Sequence, residues 1–184
     1  MKNLKMMALA FSTVLLTISC SNDDAAVVEE EVITTVIATL TGGGQTITLT
    51  SRDLDGDGPN APVVTVSGEF AVNTTYSGSI QFLNELESPA EDITEEIEEK
   101  DLEHQVFYQI TNSLGSFTYL DFDTQGKPLG LLFNFTTGAT AGNGNLTITL
   151  RHLLNKNASG VSSGDITNAG GSTDVLVTFP VVLN

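Results

Sequence analysis

Residues 145–153 read Asn-Leu-Thr-Ile-Thr-Leu-Arg-His-Leu. Apolar and polar side chains alternate, and Thr and Ile supply the β-branched residues that suit a pleated surface. A period of two puts Leu146, Ile148, Leu150 and His152 on one face and Thr147, Thr149 and Arg151 on the other. The segment is therefore a strand with one face in a core, and a histidine closes that face.

The same alternation recurs outward from it. Strands are expected at 33–40, 45–50, 63–66, 77–83, 104–110, 117–122, 129–136 and 174–182, besides 145–153. Gly42-Gly43-Gly44, Asp55-Gly56-Asp57-Gly58-Pro59, Gly126-Lys127-Pro128, Gly142-Asn143-Gly144 and Gly170-Gly171 separate them, and such runs are turn chemistry. Gly42–Gly44 and residues 141–144 both read as hairpin turns. Pro180 inside the last run cannot donate to a ladder, which predicts an edge strand or a bulge. Many short strands with few helical patterns predict an all-β fold, an immunoglobulin-like antiparallel β-sandwich over residues 33–184.

One stretch breaks the pattern. Residues 85–103 hold ten acids and a single base, Lys100. Pro89-Ala90-Glu91-Asp92 suits a helix start, and Ile93 and Ile97 give one apolar stripe. A short acidic helix or a solvated loop is the expected insertion.

The N-terminus is of another kind. Lys2 and Lys5 precede an apolar run from Met6 to Ile18, too short for a bilayer span and fit for an export signal. It ends at Leu16-Thr17-Ile18-Ser19-Cys20, which resembles a bacterial lipobox. Cys20 is the only cysteine, so it makes no internal disulfide and no multi-thiolate metal site. The expected organisation is a lipoprotein signal peptide over 1–19, lipidation at Cys20 and an acidic tether over 20–32. The Ser/Asp-rich Ser21-Asn22-Asp23-Asp24 resembles the signal that sends lipoproteins of Bacteroidota to the cell surface. Outer-membrane location through a lipid anchor follows as the expectation.

Charge narrows the partners. The chain carries 23 acids against 7 bases, which argues against nucleic acid because phosphates need cations to hold them. Loss of residues 1–19 would leave only Arg52, Lys100, Lys127, Arg151 and Lys156 as bases. No Gly-x-Ser-x-Gly elbow is present and the one cysteine sits at the lipobox, so an enzyme is not expected.

Two ion sites suggest themselves. His104, Val106, Tyr108 and Ile110 share a face, as do Leu146 to His152, so both histidines have core-facing parity at strand ends. If those strands are neighbours, His104 and His152 converge, with Asp101 and Glu103 close in sequence, and two imidazoles plus carboxylates suit zinc or copper. With Zn–N bonds near 2.0 Å, imidazoles more than about 8 Å apart could not share an ion. The same pair would serve a bis-histidine haem, and the plain alternative is two separate, backbone-bonded histidines. Asp53, Asp55 and Asp57 alternate before Gly58 like the start of a calcium loop, but the twelfth position is Val64 where an EF-hand needs Glu. Asp121 and Asp123 before Gly126 form a weaker instance.

Stretches 53–64, 73–85, 93–107, 127–131 and 146–156 resemble a group of small acidic lipoproteins of Bacteroidota. Some members carry the label type 1 periplasmic binding fold, which is two large α/β domains; this chain is too short and strand-rich for that. The resemblance implies the location and a β-rich body, and it brings no site residues. The expected function is capture of a metal or metal complex beside an outer-membrane transporter. The alternative is a structural or adhesive surface module with calcium loops.

Overall fold

The computed structural model describes residues 31–56 and 58–184. The signal-peptide, Cys20 and most of the tether expectations lie outside these residues, as does Asp57.

Ten strands follow in chain order: β1 Thr35–Gly42, β2 Gln45–Arg52, β3 Val63–Val66, β4 Thr75–Asn84, β5 Glu91–Asp92, β6 His104–Ile110, β7 Gly115–Tyr119, β8 Leu132–Thr137, β9 Gly142–His152 and β10 Ser172–Leu183. One helix, α1 Ile93–Glu99, lies between β5 and β6. All ladders between these strands are antiparallel. One sheet runs β3-β2-β1-β4-β8-β7 with β5 added on β4, and the other runs β10-β9-β6.

The two sheets close over one core. Val36, Leu40, Phe82 and Phe135 come from the larger sheet and Val106, Leu146, Ile148, Leu150 and Phe179 from the smaller, all fully buried. Each such side chain contributes about 1.5–3 kcal/mol on leaving water. The fold is thus the expected all-β sandwich. The Trp and the inter-sheet cysteine pair that mark antibody domains are absent from the sequence.

Local chemistry accounts for the joints. Gly43 and Gly44 turn β1 into β2 with φ of 58° and 79°, a conformation that side chains resist. The acidic insertion is a helix: Asp92 caps it by accepting from the Thr94 amide, and Ile93 and Ile97 are buried beneath it. Pro180 sits on β10, an edge strand, where its missing N–H costs no ladder bond.

One expected turn is not a turn. β8 pairs with β4 and β7, whereas β9 pairs with β10 and β6, so residues 138–141 carry the chain from one sheet to the other. Gly142, Asn143 and Gly144 are already paired with Leu183, Val182 and Val181. The glycines serve close packing instead: a Cβ on Gly144 would come within 2.7 Å of a Leu114 methyl and 2.8 Å of the Thr111 hydroxyl. Gly144→Ala should therefore destabilise by about 1–3 kcal/mol through overpacking; a urea midpoint equal to wild type would refute this.

Candidate metal centre

The register of β6 against β9 places His104 directly opposite His152. Their rings stack with centroids 4.5 Å apart and planes within 14°. The convergence expected from strand parity is therefore present, far inside the limit for sharing one ion. A haem between them is excluded, because axial ligands sit on opposite faces of the macrocycle and these rings face each other at contact distance.

Two carboxylates complete the group, and neither was expected. Asp174 is the extra residue of a β-bulge, since Thr173 pairs with Arg151 and Val175 with Leu150. In a regular strand it would alternate away from the buried Val177 and Phe179. The bulge turns it inward, where its side chain is 1 % exposed. Bulges re-aim side chains in this way beside functional sites. Glu31 comes from the segment read as tether; its side chain is 2 % exposed and packs against both histidines.

Ligand atoms of Glu31, His104, His152 and Asp174 all lie within 4.8 Å of one another, and the cluster could hold a metal ion. His104 Nε2 is 3.3 Å from Glu31 Oε1 and 3.8 Å from Asp174 Oδ2. His152 Nδ1 is 4.0 Å from Glu31 Oε2 and 3.8 Å from Asp174 Oδ1. Neither His152 Nδ1 nor Glu31 Oε1 has a hydrogen-bond partner, though both are buried. Lys100 Nζ approaches Glu31 Oε1 at 3.5 Å from the solvent side.

The outer ring nitrogens face groups outside the cluster. His104 Nδ1 lies 3.1 Å from the Lys100 carbonyl, which only accepts, so this nitrogen carries the proton and donates. Its Nε2 faces both carboxylates and lies 3.4 Å from Glu31 Oε2. His152 Nε2 lies 3.5 Å from Glu103 Oε2 on the outer side, and its Nδ1 faces Glu31 and Asp174. This is the outer support that metal-bound imidazoles use.

Two carboxylates and two imidazoles that meet in this way could hold a cation between them. One divalent cation would interact favourably with all four groups at once.

The two acids chosen for nearness in sequence have other tasks. Glu103 orients His152 from outside the cluster rather than joining it. Asp101 is remote from the cluster: its carboxylate accepts from the Thr124 amide at 2.8 Å and its carbonyl accepts from Lys156 Nζ. Glu103→Ala should weaken zinc binding by about 10–100-fold by freeing the His152 ring; competition against a chromophoric chelator reads it directly.

In the aspartate-rich loop, Asp55 Oδ2 accepts from the Asn60 side chain at 2.7 Å and from its amide at 3.3 Å. That side-chain hydrogen bond is the main reason its carboxyl titrates below the ordinary range. Asp53 lies between two hollows: it lines one with Asp55 and Asn60, where its side chain also helps hold the Asp55 carboxyl down, and it lines a cleft beside Glu31. The weaker calcium candidate is filled by the protein. Asp121 accepts from the Gly130 and Leu131 amides, and Asp123 from Gln125, Lys127 and Lys156.

No family model, curated protein or solved structure matches the chain. The chemistry of the cluster alone therefore carries the functional reading.

Proposed function

We propose that this protein binds one divalent first-row transition-metal ion, zinc in preference to copper, at Glu31, His104, His152 and Asp174. The observation that carries the reading is the meeting of four buried side chains whose ligand atoms lie within 4.8 Å of one another. Four protein ligands make a closed site, which suits binding rather than catalysis, where zinc keeps a position open. Tetrahedral zinc spaces its ligand atoms evenly at about 3.4 Å, whereas a square-planar set would bring neighbours to about 2.8 Å. The carboxylate–imidazole approaches here run from 3.3 to 4.0 Å, within reach of one such ion, and an imidazole and carboxylate donor set suits zinc.

The sequence supports a setting for this activity. The apolar run and Cys20 suit a lipid-anchored protein of the outer membrane, facing the cell exterior, that captures the ion beside a transporter. The calcium-module alternative is the weaker reading, because Asp55 spends its carboxylate on Asn60.

Metal analysis of the purified full chain tests the proposal. About one zinc per chain, lost in His104→Ala and His152→Ala, is the expected result. Failure to take up any first-row metal at micromolar concentration overturns it. Calcium as the sole bound metal would favour the surface-module alternative.

A further inference from the structure

An open cleft of about 500 Å³ adjoins the cluster, with Glu31 and Asp174 in its wall together with Asp53, Ser51, Val36 and Val177. Three carboxylates line it and, among the described residues, no lysine or arginine does. A cleft lined by one sign of charge between low-dielectric walls concentrates the opposite ion. Six waters at roughly 30 Å³ each make a hydrated divalent ion of roughly 180 Å³, so the cleft admits one before it sheds its shell.

Asp53 is placed for that ion. Its amide donates to the Thr34 carbonyl at 2.7 Å, which pins the end of β2 beside the stretch that follows Glu31. Its Oδ1 is buried without a hydrogen-bond partner, as is Glu31 Oε1.

We infer that this cleft is the route by which the ion reaches and leaves the cluster, and that Asp53 holds it in transit. The inference rests on the metal-binding reading and deepens it: the ion is exchangeable cargo rather than a permanent staple. Glu31 and Asp174, which line the cleft, would meet the ion before the two imidazoles behind them. Asp53 acts as a positioning residue and is outside the final ligand set.

Stopped-flow mixing of the full chain with Zn²⁺ and a fluorescent indicator tests it. Asp53→Asn should slow association about five- to ten-fold. It should slow release to a chelator by a similar factor, leaving the equilibrium affinity nearly unchanged. Leu176→Arg, at an exposed position on the cleft wall, should slow association through charge alone and does not depend on the folding of the first variant. Unaltered rates in both variants, with wild type binding zinc, overturn the route while leaving the metal site standing. Lost affinity in Asp53→Asn at an unchanged association rate would make Asp53 a resident ligand and also overturn it. A wild-type chain that takes up no zinc overturns the site and the route together.

Discussion

Zinc at a hundred-fold excess over its dissociation constant should stabilise the protein by about 2.7 kcal/mol and raise its melting temperature by about 5–11 °C. Calorimetry with and without a chelator measures it. The gain comes from the native state alone, because Glu31, His104, His152 and Asp174 meet only when the sheets have closed. Glu31→Gln and Asp174→Asn should abolish most of the shift. The metal-free forms of these variants should be little less stable than the metal-free wild type, since each substitution removes a buried negative charge from beside another. A chelator that leaves the melting temperature untouched would show that no ion contributes to stability.

Lys156→Met carries the second large effect. The ammonium is 5 % exposed and lies 2.9 Å from Asp123 Oδ2, and it donates as well to the carbonyls of Asp101 and Pro128. Burial pulls its pKa below the usual lysine range even with Asp123 beside it. Removing one partner of a buried pair leaves the other uncompensated and costs about 3–5 kcal/mol. The variant should therefore melt at least about 6 °C below wild type. The double variant Lys156→Met with Asp123→Asn should recover part of the loss.

Acid gives an independent check on the same pair. Burial raises the Asp123 carboxyl, but hydrogen bonds from the Lys127 and Gln125 amides and from Lys156 outweigh it, and the net shift is downward. A depressed folded-state value means that this stability is complete above about pH 4. It is lost as the pH falls through the folded-state value. Urea midpoints taken from pH 6 down to pH 2 should fall more steeply for wild type than for Asp123→Asn; parallel curves would remove Asp123 from the acid response.

Much of the strand order was legible because alternation encodes it, and residues 145–153 fixed both the face and the histidine on it. The His104–His152 pair was legible for the same reason, since two core-facing strand ends meet when their strands are antiparallel neighbours. Asp174 was hidden because a bulge reverses the parity on which the reading relied. Glu31 was hidden because an acid among acids carries no signal of burial. Asp101 and Glu103 are close to His104 in sequence, yet residues beside a strand end fan out in different directions, and only Glu103 touches the site from behind. Gly142-Asn143-Gly144 misled because glycine serves a tight turn and a crowded strand equally well.

The four residues of the cluster are drawn from almost the whole length of the chain, and Asp174 belongs to the last strand to be made. Contacts of such long sequence separation form late, after local hairpins such as β1–β2. During synthesis and refolding the chain therefore has no means of chelating an ion with this set until β10 has docked. An ion held there cannot template the early steps of folding; it reports their completion, and its arrival should be the last kinetic phase.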